Sequence, residues 1–250
     1  MSSNEHLVGR AVDAISAHRH VDITGSRLSG RSSVLGHLVD HFRHEGWEVL
    51  DVSGRTPPVL LPAIVGDHAM IAVDDWDLMD VESRTLFTGC GVTLVTTRTG
   101  GEPAHEDMER VSVPTLGADD LRVVLARATG IILNSQDAGE LADLTDGAVG
   151  AAIGVVNAAR EAGALEADGR RATMTRPWID VAGPVVVTLL DPLTEVQRQA
   201  LDGFAQHAGG VAGITGGAAD DLCGLGYLTR DDEDRVALAS TLLSRWFTRS

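Results

Sequence analysis

A segment rich in glycine and serine, Gly25–Ser33 (GSRLSGRSS), constrains the fold of this chain more than any other feature. A short β-rich run, His20–Thr24 (HVDIT), precedes it. After it, apolar residues recur at helical spacing over Ser32–His44. A strand, a glycine loop and a helix in this order predict the start of an α/β unit with a parallel sheet.

The segment matches the phosphate-binding pattern GxxxxGK[ST], the P-loop, except that Arg31 replaces the lysine. Glycines let backbone N–H groups turn towards an anion, and the following helix adds the partial positive charge of its N-terminus. Arg31 is expected to bridge the outer phosphates, and the Ser32 hydroxyl to bind Mg²⁺. The alternative is a plain turn between strand and helix. The predicted nucleotide-binding residues of this segment are Gly25, Ser29, Gly30, Arg31, Ser32 and Ser33.

Two carboxylates follow an apolar run, Ala69–Val73 (AMIAV), in the pattern of a Walker B element. Asp74 is the predicted metal-binding residue, because a carboxylate at this point can orient Mg²⁺ directly or through water. Asp75 is the predicted catalytic base that polarises the attacking water. The alternative is that the two aspartates end a strand and cap the next helix.

A polar pair, Thr97 and Arg98, ends a fourth predicted strand, Gly91–Thr97 (GVTLVTT). Ligands of open α/β sheets bind at the carboxyl ends of the strands. Thr97 is therefore a predicted nucleotide contact, and Arg98 a predicted sensor of the terminal phosphate. The alternative for Arg98 is a solvated loop residue.

The remaining pattern predicts an α/β P-loop core followed by a helical lid and a winged-helix domain. Further strands are expected near residues 47–52 and 110–113, and parallel strands alternating with helices predict a sheet covered on both faces. After Pro114 only helices are expected, up to a polar linker at 165–178. Two helices, a hairpin over 226–238 and a last helix favour a winged helix. The predicted domains are 1–115, 116–168 and 176–250.

Composition restricts the partners and the compartment. The formal net charge is −16 and all 20 basic residues are arginine, so this segment is a poor candidate for gripping the DNA backbone. Cys90 and Cys223 belong to no CxxC or Cys/His cluster, which favours a reducing, cytoplasmic compartment over a disulfide framework. No apolar stretch is long enough to span a membrane. The closely spaced His37, His41 and His44 are interpreted as solvated helix residues.

Three more motifs, together with the arginine-containing loop, carry a family resemblance. They are Leu7–Arg10 (LVGR), Val95–Arg98 (VTTR) and Leu144–Gly150 (LTDGAVG). With them the chain resembles STAND-class, AAA+-like signal-transduction ATPases, and in particular the ATPase region of large actinobacterial LuxR-type transcriptional regulators. The resemblance implies that Gly9 and Arg10 lie near the adenine and ribose.

The resemblance also implies a regulatory switch. Family members exchange a closed ADP form for an open ATP form and often self-associate with ATP bound. Such regulators continue into helical repeats and a DNA-binding domain, so we expect this chain to be part of a longer one. The arginine at position 31, Val149 in place of a family proline, and Ser240-Thr241 in place of a His-Pro pair predict slow or absent hydrolysis.

Three other interpretations stay open at this point. The chain could be a degenerate scaffold of the same fold that binds no nucleotide and acts through protein contacts. It could be a DNA-handling AAA+ ATPase, although the helix predicted over 216–224 has no basic residue. A P-loop small-molecule kinase would not need a winged helix. The sequence does not choose between ATP and GTP.

Overall fold

A computed structural model describes residues 3–56, 66–99, 103–168, 171–206, 216–231, 233 and 235–249. The chain divides into two compact units. The first comprises residues 1–26 and 30–113, and the second comprises residues 27–29 and 114–250.

The first unit is built on a five-stranded sheet in which every described pairing is parallel. The strand order is β2-β3-β4-β1-β5. This confirms the predicted parallel core. The strands are β1 Val21–Thr24, β2 Glu48–Ser53, β3 Ala69–Asp74, β4 Thr93–Arg98 and β5 Glu109–Ser112.

Helices cover both faces of this sheet, because its central strands are apolar on both sides. In β3, Met70 and Ala72 pack into one cluster with α1 and α2, whereas Ile71 and Val73 pack into a second cluster with α3. This alternation follows from the two-residue repeat of a strand. The helices are α1 Ser3–Ser16, α2 Arg31–His44 and α3 Val81–Thr88, with a 3₁₀ turn at Trp76–Leu78.

The second unit is mainly helical and has its own apolar core. Its helices are α4 Ala118–Thr129, α5 Ser135–Thr145, α6 Val149–Glu161, α7 Gly183–Leu190, α8 Glu195–Gln206, α9 Gly216–Gly224 and α10 Thr241–Phe247. An antiparallel pair, β9 Leu228–Arg230 and β10 Val236–Leu238, lies between α9 and α10. The division of this unit into a lid and a further domain stays a prediction.

A small sheet replaces the expected polar linker. Ile132–Leu133 (β6), Leu165–Asp168 (β7) and Arg171–Met174 (β8) form a three-stranded sheet in the order β6-β8-β7. The region after Pro114 is therefore not all helical. Strands this short carry almost no periodic signal, and their pairing depends on partners that are distant in the chain.

Part of the glycine loop, residues 27–29, belongs to the second unit. The Arg27 guanidinium donates two hydrogen bonds to the carbonyl of Leu225, at 3.0 and 2.8 Å. The carbonyl of Leu28 accepts a hydrogen bond of 2.7 Å from the N–H of Gly150. These contacts fix the backbone of the tripeptide within its unit.

A buried ion pair connects two adjacent interior strands of the parallel sheet, β1 and β4. Arg98 donates to both carboxylate oxygens of Asp22, with distances of 2.7–3.0 Å. The Thr96 hydroxyl adds a third donor at 3.2 Å. Asp22 is only 1% exposed and Arg98 5%. Because both charges are removed from water, each depends on the other for compensation.

At the amino end of β1, His20 is held as a neutral acceptor. Its Nδ1 accepts the backbone N–H of Leu94 at 3.0 Å, and its ring stacks on His105 with 4.3 Å between centroids. Burial lowers the pKa of His20 below its ordinary value of 6.5, and the charge of His105 lowers it further, while Asp107 partly opposes both.

We expect Asp22→Asn to lower the free energy of unfolding by about 3–5 kcal/mol, because it leaves the Arg98 guanidinium buried without a counter-charge. Urea unfolding measures the difference. Asp40→Asn, on the exposed face of α2, is the control and should change stability by less than about 0.5 kcal/mol. An Asp22→Asn protein as stable as the control would show that the pair contributes little.

We expect the protein to lose stability as the pH falls below about 6.5, because the unfolded chain then binds a proton that folded His20 takes up only at lower pH. The loss should stop growing below the folded pKa. His20→Asn keeps an acceptor for Leu94 but does not titrate, so its unfolding free energy should fall less between about pH 8 and pH 5.5. His37→Asn, on an exposed face of α2, should behave like the parent. Equal pH profiles for the parent and His20→Asn would refute this assignment.

Candidate functional site

The glycine loop lies between a strand and a helix, in the order that its sequence predicts. It leaves β1 at Thr24, and α2 begins at Arg31. Gly30, immediately before the helix, has φ 105°, a left-handed conformation that favours glycine. The N-terminus of α2 therefore follows the loop directly, where its unpaired N–H groups can bind an anion.

One carboxylate oxygen joins three segments of the chain: the start of α2, the end of β3 and β4. Asp74 Oδ1 accepts a hydrogen bond from the Ser32 hydroxyl at 3.1 Å and another from the Thr97 hydroxyl at 2.5 Å. Ser32 lies at the start of α2, Asp74 ends β3, and Thr97 lies in β4. The structure thus brings together three of the residues that the sequence singled out.

The oxygens of Ser32 and Asp74 fit a magnesium site. Mg²⁺ prefers oxygen ligands and keeps several waters, so one hydroxyl, one carboxylate and substrate phosphates are sufficient. Among the described residues, no group of three or more His, Cys, Asp or Glu side chains that could hold a metal ion by itself is found.

Arg31, in the first unit, and Ser29, in the second unit, both have buried side chains. Arg31 is only 5% exposed, so its cation is kept away from bulk water at the start of α2. The Ser29 hydroxyl is buried and has no hydrogen-bond partner within the described residues. A buried hydroxyl without a partner is unfavourable unless a ligand or water satisfies it.

The second acid, Asp75, is held between two arginines. Its Oδ2 accepts a hydrogen bond of 3.0 Å from Nε of Arg55, and its Oδ1 lies 3.8 Å from a terminal nitrogen of Arg31. Its backbone is left-handed, with φ 55°, and its N–H donates to the Thr97 hydroxyl at 2.9 Å. Asp75 therefore lies beside the loop, as expected, but its carboxylate is already bound by cations.

Arg55 is a site residue that the sequence analysis missed. It follows β2, an edge strand, and no motif marks it. It reaches Asp75 because Gly54 lets β2 approach β3: the N–H of Gly54 donates to the carbonyl of Asp74 at 2.7 Å. The only sign of its role in the sequence is that a basic residue follows the carboxyl end of a predicted strand.

The structure does not present Arg98 as an exposed sensor. Its guanidinium is bound by Asp22 within the sheet, so a contact with a terminal phosphate would require that buried pair to separate. The pairing explains Arg98 as a brace between β1 and β4. Its sensing role stays a prediction that this geometry disfavours.

Arg10 and Gly9, the predicted base and ribose contacts, lie in α1. The Arg10 guanidinium donates to Glu109 at 2.6 Å and to the carbonyl of Arg110 at 3.3 Å. Glu109 begins β5, and the amino end of a parallel sheet is opposite the edge from which the glycine loop leaves β1. The structure therefore does not bring Arg10 to the loop.

Solved structures share this fold. The Walker-type ATPase PABY2304 of Pyrococcus abyssi superposes with a TM-score of 0.66 at 12% identity, covering 99% of this chain and 96% of that one. The RuvB Holliday junction branch migration motor of Thermotoga maritima gives a TM-score of 0.53 at 15% identity, covering 94% and 90%. This is the fold of a Walker-type P-loop ATPase.

Sequence comparisons add no narrower relationship. No protein-family model matches this chain, and no curated protein matches it either. The similarity to PABY2304 and RuvB therefore establishes the P-loop ATPase fold alone. Within the described residues, no helix has the length and apolar character needed to cross a membrane.

We expect Gly54→Ala to disturb the candidate site, because the added Cβ would lie 2.1 Å from the carbonyl oxygen of Asp75. Relieving this clash must move β2 or Asp75, and overpacking of this kind typically destabilises by about 1–3 kcal/mol. Thermal or urea unfolding tests the loss. The control is Gly36→Ala within α2, where a Cβ meets nothing within 4 Å and alanine favours the helix. Equal stability of Gly54→Ala and the parent would contradict the close approach.

Proposed function

We propose that this chain binds ATP or ADP with Mg²⁺ at Gly25–Ser33 and acts as a nucleotide-dependent regulatory switch. The observation that carries the proposal is the hydrogen bond between Ser32 and Asp74. The two oxygens are close enough to share a phosphate-bound magnesium ion, which supports Ser32 as the hydroxyl and Asp74 as the carboxylate of such a site. Arg31 supplies the cation for the outer phosphates, and Thr97 orients Asp74.

Bound Mg²⁺ would neutralise charge on the phosphate oxygens. The protein's part is to hold the phosphates on the backbone N–H groups of the loop and on Arg31. Arg31 spreads its charge over a planar group, unlike the point charge of a lysine, so the phosphates sit differently against it. Gly25, Gly30 and Ser33 complete the proposed cradle.

Hydrolysis is proposed to be slow. A catalytic base must accept a hydrogen bond from the attacking water. Asp75, the proposed base, instead receives Arg55 at 3.0 Å and lies 3.8 Å from Arg31. Water therefore competes with two guanidinium groups for this carboxylate. A switch that holds its nucleotide for a long time fits this arrangement better than a fast motor does.

The regulatory role rests on the resemblance to STAND-class proteins and LuxR-type regulators. The element order at the end of the chain supports it, because α8, α9, the β9–β10 pair and α10 follow the order of a winged helix. In this proposal the nucleotide state controls the second unit and self-association. If the chain is part of a larger regulator, its nucleotide state would control transcription.

A DNA-handling role is the competing function, because RuvB is a branch migration motor. Charge disfavours it. The chain carries a net charge of −16, and α9, where a winged helix would read DNA, is GGAADDLCG with no basic residue. Specific reading of base edges requires basic or amide side chains, so we favour the regulatory role.

We expect calorimetric titration with ATP and Mg²⁺ to show saturable binding that is weakened at least about tenfold in Arg31→Ala, since the variant loses the phosphate cation. Arg31→Lys restores the usual P-loop cation and should bind. Arg43→Ala, an exposed arginine on the same helix, should bind like the parent. Titration with GTP in the same experiment determines the base preference.

Absence of binding up to about millimolar nucleotide would overturn the proposal and favour the nucleotide-free scaffold. Binding that Arg31→Ala leaves unchanged would show that the phosphates bind elsewhere. Ser32→Ala separates the metal from the phosphates: it should reduce the gain in affinity that Mg²⁺ gives while retaining metal-free binding.

A further inference from the structure

The contacts of Asp75 form an ion-pair triad, Arg31–Asp75–Arg55. The side chains of Asp75, Arg31 and Arg55 are 13%, 6% and 43% exposed, respectively. One carboxylate thus lies between the loop cation, which is buried, and a second cation, which is partly open to solvent. Its two oxygens face different arginines.

Carboxylate and phosphate oxygens bind guanidinium groups in the same way. Both accept parallel N–H donors from the planar fork of an arginine, and both carry the negative charge that the cation needs. A phosphate that reaches Arg31 and the carboxylate of Asp75 therefore compete for the same cation. Because both are negatively charged, the phosphate and the Asp75 carboxylate also repel each other when both lie beside Arg31.

We propose that Asp75 is a built-in competitor of the nucleotide phosphates and that Arg55 is a second phosphate-binding residue. The inference rests on the proposed nucleotide function and extends it. When phosphates of a nucleoside triphosphate enter the loop, they displace the Asp75 carboxylate from Arg31. Arg55, released from the same carboxylate or turning with it, then donates to the phosphates.

The backbone around Asp75 is fixed, so the exchange involves side chains. The Asp75 N–H is held by Thr97 at 2.9 Å. The carbonyl of Asp75 lies so close to Gly54 that no side chain fits between them. The left-handed backbone of Asp75 fixes the direction of its Cα–Cβ bond. Rotation about that bond moves the carboxylate. Arg55 can follow because its guanidinium lies at the exposed end of the triad.

The first test is the affinity of Asp75→Asn for ATP with Mg²⁺, measured by calorimetry. The amide keeps the shape of the side chain but removes the competing charge, so we expect binding about tenfold tighter than in the parent. Asp51→Asn removes one negative charge from an exposed position of β2 and should leave the affinity unchanged. Equal or weaker binding by Asp75→Asn would overturn the proposal.

The second test is a double-mutant cycle with Arg55→Gln. If Arg55 binds phosphate and Asp75 restrains it, Arg55→Gln weakens ATP binding, and the loss is larger in the Asp75→Asn background than in the parent. If Arg55 only holds the Asp75 carboxylate in place, Arg55→Gln has no effect once that carboxylate is gone. The second result would overturn the role of Arg55.

The proposed nucleotide binding and the proposed competition by Asp75 are rejected by different results. Saturable binding by the parent with no gain in Asp75→Asn rejects the competitor and leaves the nucleotide function standing. No binding by either protein rejects both. Circular dichroism and urea unfolding of each variant show that the compared proteins are folded to the same extent.

Discussion

The ion pair between Asp22 and Arg98 fixes the two strands from which the site projects. Asp22 lies in β1, two residues before its end, and Arg98 ends β4. Both are buried, and a buried charge is tolerated only with a compensating partner at short distance. The pair therefore sets β1 beside β4 in one register. The glycine loop leaves one of these strands, and Thr97 lies at the end of the other.

Once β1 and β4 lie side by side, short-range contacts position the other residues of the site. Parallel strands end at the same edge, so Asp74 at the end of β3 comes within hydrogen-bond distance of Thr97. Ser32, at the start of α2, closes the arrangement from the loop side. Three segments that are distant in the chain thus meet at one carboxylate, and no long side chain is needed to connect them.

Because the chain is strongly acidic, the cations of the site largely determine whether a polyphosphate can bind there. With a net charge of −16, the protein as a whole repels a polyphosphate. Arg31 and Arg55 are two positive charges that pair with Asp75. Local charge pairing, rather than the overall field, therefore governs what can bind here. The same reasoning separates this site from DNA-binding surfaces, which depend on an extended basic patch.

The sequence by itself located the glycine loop, the apolar strand that ends in Asp74 and the parallel core. Glycines, hydroxyls and carboxylates beside apolar runs of strand and helix period are local signals. In the structure, Gly30 precedes α2, Asp74 ends β3 and Thr97 lies in β4. Local pattern suffices there because backbone conformation and burial are set within one or two turns of chain. The short strands β6, β7 and β8 were missed because two to four residues carry little period.

Only the tertiary structure decided what the charged residues do. Arg98 pairs with Asp22 across 76 positions, Arg10 pairs with Glu109 across 99, and Arg55 pairs with Asp75 across 20. Each of these partners is chosen by strand order and register, which no local pattern of charge encodes. A long arginine side chain can reach many acids, and the fold selects the one that lies within hydrogen-bond distance. For that reason the sequence located the candidate site, whereas the fold assigned its ion pairs.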